Sequence, residues 1–175
     1  MKGKKINYLD FIVDKLTRSI ENAITGDSFA TEVLHLQYSD IKQVAINKKW
    51  LFDWKKELNY DDREVYKLTI QNNPNVVQGL ISLKIESDHV YMYLIESSPF
   101  NKGKNKIYLG VPGNLVAYAC RLSFQKGFDG FLAFHSKTNL IDHYKNTLGA
   151  KSAGGLLMII DTEAAKKLVD KYYKN

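Results

Sequence analysis

The hydrophobic pattern of this chain changes character near Pro99. Before that residue, three apolar or alternating runs are separated by turn-forming residues, and they span residues 64–71, 76–85 and 90–96. Short runs with Asn-, Pro- and Asp-containing connections predict an antiparallel meander. After Pro99, helical spacing alternates with short apolar runs, as in α/β proteins. Together the two patterns predict an α/β (α+β) fold, in which helices flank a central mixed, mostly antiparallel sheet.

The elements after Pro99 are punctuated by glycines. Residues 114–126 have helical spacing that ends at Gly127, and residues 138–148 have it again up to Gly149. Glycine directly after a helical run is a common helix-ending signal. The remaining predicted elements are strands at 130–135 and 156–160 and a last helix at 163–173, which Asp161 or Thr162 can cap.

The N-terminal part of the chain predicts more helix. Residues 8–24 carry apolar side chains at helical spacing, which predicts an amphipathic helix ended by Gly26 and Asp27. These apolar residues are Leu9, Ile12, Val13, Leu16, Ile20, Ala23 and Ile24. The elements predicted next are a strand at 29–37, a short helix at about 40–48 capped by Ser39, and a helix or ordered loop at 49–62 that holds Trp50 and Trp54 as core anchors.

Length and composition limit the organisation of the chain. With 175 residues, 45% of them hydrophobic, it can form one sizeable core but not two comfortable domains. We therefore expect one domain at 28–175, preceded by an amphipathic helical extension at 1–27. Cys120 is the only cysteine, which excludes an internal disulfide and the multi-cysteine zinc patterns, and the four histidines form no metal-ligand spacing. We expect no bound metal.

Charge and hydropathy limit the expected location of the protein but identify no binding partner. No apolar run approaches the roughly 20 residues needed to cross a bilayer, so we expect a cytoplasmic protein without a membrane partner. The net charge is +6, but 19 acidic residues are interspersed with 25 basic ones. A nucleic-acid-binding module is a competing hypothesis, based on this charge and the 11 tyrosines. Nucleic acid is a poor candidate because no groove-reading helix or RNA-binding aromatic motif is recognisable.

Two stretches carry the residues that suggest a function. The first is Tyr108-Leu109-Gly110-Val111-Pro112-Gly113-Asn114-Leu115, a glycine turn that opens a helix, and the second is His143-Tyr144-Lys145-Asn146-Thr147-Leu148-Gly149-Ala150. Glycines let a backbone approach phosphates closely, and the free amides of a helix start attract negative charge. The first stretch therefore predicts a phosphate-binding loop. A triphosphate loop fits worse because the Gly-Lys-Ser/Thr ending is absent, and a dinucleotide fold fits poorly because the first half consists of hairpins.

The order of elements over residues 29–160 resembles the Gcn5-related N-acetyltransferase (GNAT) family. The resemblance implies a sheet of about six or seven strands that is splayed between its fourth and fifth strands, here 90–96 and 130–135, with acetyl-CoA in the gap. The family's cofactor loop has a basic residue and two glycines. In this chain Gly113 matches the second glycine, whereas Val111 replaces the first and Tyr108 replaces the basic residue.

The resemblance also implies which residues meet the cofactor. The residues that it assigns to acetyl-CoA are Ile95, Ser97, Tyr108, Gly110, Val111, Gly113, Asn114 and Leu115, with Asn139 near the position where the family often has asparagine and this chain has Lys137. The lysines before the loop, Lys102, Lys104 and Lys106, either attract phosphates or form a solvated loop.

Three residues are the candidates for catalysis of direct attack by an amine on the acetyl thioester. Tyr144 matches the family's tyrosine that protonates the leaving thiolate, and a phenol is protonated at neutral pH. Glu96, at the end of the fourth strand, is the first candidate for the base, sharing by alternation the face of Val90, Met92 and Leu94. His135, at the end of the fifth strand, is the second. The structural alternatives are a packed tyrosine and a water-exposed carboxylate.

The function implied by the resemblance is an acetyl-CoA-dependent N-acetyltransferase that acts on a primary amine of a small molecule or protein. The alternative within the same fold is a non-catalytic module that binds CoA or a protein partner, which the degenerate loop allows. The acceptor cannot be identified from the sequence. The N-terminal helix could cover the acceptor site, a sheet edge or the surface of a homodimer.

Overall fold

The computed structural model describes residues 5–173, so residues 1–4 of the expected extension and residues 174 and 175 of the expected domain lie outside it. The strands are β1 (Tyr8–Leu9), β2 (Ile20–Asn22), β3 (Ser28–Phe29), β4 (Thr31–His35), β5 (Glu64–Ile70), β6 (Gly79–Ile85), β7 (Val90–Ser97), β8 (Tyr108–Leu109), β9 (Leu132–Ser136), β10 (Lys151–Ser152) and β11 (Leu157–Ile160). The α-helices are α1 (Trp54–Leu58), α2 (Val111–Gln125), α3 (Ile141–Leu148) and α4 (Thr162–Tyr173). Short 3₁₀ turns lie at Tyr38–Val44, Ile46–Lys48, Pro99–Asn101 and Thr138–Leu140.

Within residues 5–173, the main sheet has eight strands and is mixed, mostly antiparallel, as predicted. Seven strands follow the order β10-β11-β9-β7-β6-β5-β4, and β1 pairs with β9 beside this path. The predicted meander forms β5, β6 and β7, which pair antiparallel in sequence order. A smaller sheet of β3, β2 and β8 lies apart. The predicted switch from hairpins to alternating helix and strand is confirmed, because β9 joins β7 in the parallel direction.

Helix α2 carries the centre of the core. Most of its residues are buried, including Leu115, Val116 and Cys120, so the cysteine is a packed small hydrophobe rather than an accessible thiol. The helix packs on β5, β6 and β7 on one side and on α4 on the other. The expected cap of α4 is confirmed, because the Asp161 carboxylate accepts the backbone N–H of Ala164 at 3.0 Å. The Val111 and Leu115 side chains in the first turns of α2 lie against Gly79 of β6, next to the Glu96 carbonyl of β7.

The predicted N-terminal helix at 8–24 is wrong. This part of the chain is extended: β1 pairs in parallel with β9, and β2 pairs with β3 and β8. The pattern misled because Leu9, Val13 and Ile20 are buried, as a helix face would require, but Leu9 pairs with Ser136, Val13 bonds His143 and Ile20 pairs with Phe29. β-branched residues are frequent here and favour extended backbone, so tertiary contact overrides the spacing. The segment is part of the fold and not a helical addition to it.

Three smaller expectations also need correction. The short helix predicted at 40–48 is a pair of 3₁₀ turns, and Ser39 lies inside the first of them, whose start is capped by Gln37 and Asp40. The helix allowed at 49–62 is limited to α1, which Asp53 caps through the backbone N–H of Lys56. The strand predicted at 29–37 is divided into β3 and β4.

Two further observations concern residues 5–173 only. None of their helices has the length and apolar character that a bilayer crossing requires. Within the same range, no three His, Cys, Asp or Glu side chains are grouped so that they could hold a metal ion.

Candidate active site

The gap between β7 and β9 is the central feature of the site. The two strands pair at only two positions, Val90 with Leu132 and Tyr91 with Ala133. Farther along the same edge of β9, the partner is β1, which pairs with the last two residues of β9. The Asn7 side chain also donates to the Tyr93 carbonyl of β7 at 3.3 Å. An extended piece of the chain's own backbone therefore lies between the two diverging strands.

We call residues 7–17 the cleft segment. At the end of β1, the Leu9 carbonyl accepts a hydrogen bond from the backbone N–H of Lys137 at 3.0 Å. Beyond β1 the segment contacts α3, where the backbone N–H of Val13 donates to Nε2 of His143 at 2.9 Å. The Phe11 ring stacks on the Tyr144 ring with centroids 4.5 Å apart. His143, which has no partner in the sequence pattern, is thus a contact of this segment.

The segment reaches the glycine loop through Asp14. Gly110 has φ of 93°, a left-handed conformation that favours glycine, and it precedes the first turn of α2. Its backbone N–H donates to the Asp14 carboxylate at 3.1 Å, and Lys106 Nζ contacts the other carboxylate oxygen, also at 3.1 Å. A helix start attracts anions. A carboxylate from the same chain therefore occupies the position where the sequence predicts a phosphate.

The close-approach glycine, Gly113, is covered as well. A Cβ at this position would lie 3.0 Å from a Leu16 methyl carbon and would collide with the Tyr172 hydroxyl. The next residue, Asn114, is buried, and its side chain donates to the Gly110 carbonyl at 2.8 Å. The loop is built for close approach, and in this conformation Leu16 of the cleft segment and Tyr172 of α4 supply the approaching atoms.

Tyr144 lies at the bottom of the gap. Its side chain is fully buried, and its hydroxyl donates to the Phe11 carbonyl at 2.7 Å. Burial, with the negative charge of Asp10 as a smaller cause, raises the pKa of this phenol well above its usual value. Tyr144 is therefore a hydrogen-bond donor at any physiological pH. In this conformation the Phe11 carbonyl of the cleft segment accepts its hydrogen bond.

Glu96 occupies a different face from the one predicted. Ser82 of β6 pairs with Leu94 and the next residue, Leu83, pairs with Met92, so Tyr93 is an extra residue in β7. Glu96 pairs with Leu80, three residues from the partner of Met92, so the two side chains point to opposite faces. Of the three residues expected to share a face with Glu96, Leu94 does so, because their partners Ser82 and Leu80 are two residues apart. The expectation is wrong for Val90 and Met92, because the bulge reverses the alternation between Met92 and Leu94.

The Glu96 carboxylate is an anchor that is only 3% exposed. It accepts hydrogen bonds from the backbone N–H of Leu51 at 2.7 Å, the Trp54 indole at 2.8 Å and Lys102 Nζ at 2.5 Å. A fourth, from Phe52 N–H, is 3.3 Å long. A carboxylate accepts about four hydrogen bonds, so little capacity is left for a proton from a substrate. The alternative of a water-exposed strand end is excluded.

His135 is the predicted base that stays accessible. Its ring hydrogen-bonds the Tyr91 hydroxyl through Nδ1, and Tyr8 of the cleft segment lies edge-on against it. Burial lowers the pKa of His135, so the imidazole is neutral at neutral pH and can accept a proton. Burial also raises the pKa of Tyr91 to about 12, which keeps its hydroxyl protonated. The pair faces a groove of about 800 Å³ that Phe131 and Leu157 also line.

The remaining predicted residues divide into two groups. Ile95 and Ser97 line a cavity of about 240 Å³ together with Asp14 of the cleft segment. Four others point elsewhere or are exposed: the Val111 and Leu115 side chains are buried in the core, Tyr108 packs its ring on Phe29, and Asn139 is exposed in the turn before α3. Of the three lysines, Lys106 reaches the start of α2 through Asp14, Lys102 binds Glu96, and Lys104 is exposed.

The sequence analysis missed the residues of the cleft segment that fill the gap, above all Phe11 and Asp14. Their contacts are with residues 92 to 133 positions away, and no motif marks them. Asp14 is one of two acidic residues in the segment, and nothing in the sequence distinguishes it from the exposed Asp10.

A mixed sheet that splays between two parallel strands, with a glycine-led helix facing the gap, defines an acyl-CoA N-acyltransferase fold. No protein-family model matches the sequence, and no curated protein matches it. Among solved structures, mutant forms of the spermidine/spermine N-acetyltransferase of Vibrio cholerae are similar, with 14% identity over 78% of this chain and 96% of theirs and a TM-score of 0.57.

Two further solved structures are similar to this chain. An acetyltransferase of the GNAT family from Staphylococcus aureus Mu50 has 12% identity over 76% of this chain and 99% of its own, with a TM-score of 0.50. The Vibrio cholerae spermidine N-acetyltransferase in complex with CoA and spermine has 14% identity over 78% of this chain and 98% of its own, with a TM-score of 0.53. The chain therefore has the GNAT fold, in a divergent form.

Proposed function

We propose that this protein is an acetyl-CoA-dependent N-acetyltransferase that acts on a primary amine of a small molecule or protein. The observation that carries the proposal is the gap between β7 and β9, which accepts an extended amide-containing chain and leads to the start of α2. The pantetheine arm of CoA is such a chain, and its pyrophosphate suits the helix start. The solved relative that contains CoA and spermine supports a CoA donor and an amine acceptor.

The residues of this chain fit acetyl-CoA once the cleft segment has left. The backbone N–H of Gly110 and the Lys106 ammonium, which now hold Asp14, would hold phosphate oxygens. Ile95 and Ser97 at the end of β7 would border the acyl end. Acetyl-CoA supplies the acetyl thioester as a substrate.

The proposed chemistry is direct attack. His135 accepts a proton from the amine, and the amine nitrogen forms a bond to the acetyl carbon while the carbon–sulfur bond breaks. The Tyr144 hydroxyl donates its proton to the leaving sulfur. Glu96 holds Leu51 and Trp54 in place beside the reacting groups rather than serving as the base. The groove beside His135 has the size of a small-molecule site, so it is the proposed approach for the acceptor.

The role of His135 predicts a pH profile. A base must be neutral to act, so the rate should rise with pH through the pKa of His135 and then level off. Because burial lowers that pKa, the plateau should extend below the ordinary histidine range. His135→Gln should abolish this rise of the rate with pH and lower kcat by about 100-fold. His35→Gln, at an exposed residue of β4, is the matched control and should leave both unchanged. A full acidic limb in His135→Gln would exclude the role.

The activity itself is tested by incubating the protein with acetyl-CoA and a panel of primary amines, and by measuring free CoA thiol. The proposal expects thiol release that depends on the amine, together with a higher melting temperature in acetyl-CoA. The presence of residues 7–17 in the gap favours a second candidate function, a non-catalytic module that binds CoA or a protein partner. That alternative expects a raised melting temperature with no thiol release for any amine.

A further inference from the structure

The cleft segment makes, residue by residue, the contacts that an extended anionic ligand would make in the gap. Its backbone pairs with β9, and the Phe11 carbonyl accepts a hydrogen bond from the Tyr144 hydroxyl. The Asp14 carboxylate accepts hydrogen bonds from the Gly110 backbone N–H and the Lys106 ammonium at the start of α2. We propose that residues 7–17 are an autoinhibitory strap that competes with acetyl-CoA for the gap. The inference rests on the proposed function, because it needs a CoA site to block.

The strap and acetyl-CoA exclude one another for two reasons. The first is steric, because the backbone of the strap lies between β7 and β9, and its Leu16 side chain lies beside Tyr172 of α4 over Gly113. The second is electrostatic, because Asp14 would lie against the pyrophosphate, and two like charges in a half-buried site repel strongly. Binding of acetyl-CoA therefore requires that the strap leave.

The strap combines three buried residues, Leu9, Val13 and Thr17, with little regular structure. Its only regular structure is the two residues of β1, and residues 10–17 have no helix or strand. Its surface face carries exposed Ile12 and an exposed ion pair between Asp10 and Lys137, which contributes little to stability. Downstream, β2 is fixed in the second sheet with β3 and β8. Residues 7–17 can thus open locally while the rest of the fold stays intact.

Competition predicts that loosening the strap tightens acetyl-CoA binding. If the gap is free in only a small fraction of molecules, the apparent Kd rises by the inverse of that fraction. Asp14→Ala removes both contacts at the start of α2 and should tighten acetyl-CoA binding by about tenfold in isothermal titration of the full chain. Asp10→Ala changes the same charge in the same segment at an exposed position and should bind like the unaltered protein.

A reversible tether separates the strap from general effects of mutation. Leu9 and Ser136 are direct partners in the pairing of β1 with β9. Neighbouring strands lie about 4.8 Å apart, which is within the range that a disulfide spans, so Leu9→Cys with Ser136→Cys is the proposed tether. The native Cys120 is fully buried and does not compete. The oxidised protein should not bind acetyl-CoA, whereas the same sample after reduction should bind at least as tightly as the unaltered chain.

The outcomes distinguish the two proposals. Binding that is blocked by oxidation and restored by reduction, with tighter binding in Asp14→Ala, supports the strap. Equal acetyl-CoA binding by the oxidised and reduced proteins overturns the strap and leaves the proposed function standing. If the reduced tether and Asp14→Ala both fail to bind acetyl-CoA while keeping a cooperative melting transition, the gap is no CoA site and the proposed function itself fails.

Discussion

Glu96→Ala is expected to lower the free energy of unfolding by about 3 kcal/mol. The substitution leaves the Trp54 indole N–H and the Leu51 backbone N–H buried without an acceptor. Each unsatisfied buried donor costs about 1–3 kcal/mol, while Lys102, which is partly exposed, can return to water. The effect is measured by denaturant unfolding of the full chain.

The control for this substitution is Glu163→Ala. Glu163 lies in the first turn of α4 with a side chain that is 79% exposed, so its loss should change stability by less than about 0.5 kcal/mol. Glu96→Gln, which keeps an oxygen acceptor, should fall between the two. A loss below about 1 kcal/mol for Glu96→Ala would contradict the account of Glu96 as the anchor of Leu51 and Trp54.

Tyr144→Phe is expected to lower kcat by about 100-fold, because the leaving sulfur would lose its proton donor. The same change removes the hydrogen bond to the Phe11 carbonyl, so acetyl-CoA should bind no more weakly and by our account more tightly. This separation of kcat from binding distinguishes a donor from a merely packed tyrosine. Transfer rates and acetyl-CoA affinity are measured on the same preparation.

The matched control is Tyr38→Phe, since Tyr38 is exposed and its hydroxyl meets Asn59 on the surface. It should retain the rate and the affinity of the unaltered chain. Full-rate transfer by Tyr144→Phe would remove Tyr144 from the mechanism.

The sequence predicted the parts of the fold whose signals are local. Turn residues separate β5, β6 and β7, and glycines follow the helices after Pro99, so these elements are placed to within a few residues. The splay between β7 and β9 followed from a resemblance in element order, and the pairing at only two positions agrees with it. Local spacing was sufficient in these regions because each element's burial pattern matches its own secondary structure.

The rest depends on contacts between distant residues. In residues 8–24 the apolar spacing is compatible with a helix face and with an extended strap. Contacts with His143 of α3 and with Gly110 at the start of α2 stabilise the extended backbone. The bulge at Tyr93 likewise arises from pairing with β6, and it moved Glu96 to the other face. The catalytic roles of Tyr144 and His135 remain predictions, and the sequence did not predict that residues 7–17 fill the gap.

The most direct test of the account is hydrogen exchange at single amides with and without acetyl-CoA. The Val13 amide, now bonded to His143, reports the cleft segment, and the Gly110 amide, now bonded to Asp14, reports the helix start. We expect acetyl-CoA to speed exchange at Val13 while Gly110 stays protected, because phosphate replaces the carboxylate there. Unchanged exchange at Val13 under saturating acetyl-CoA would contradict the claim that acetyl-CoA binds in place of residues 7–17.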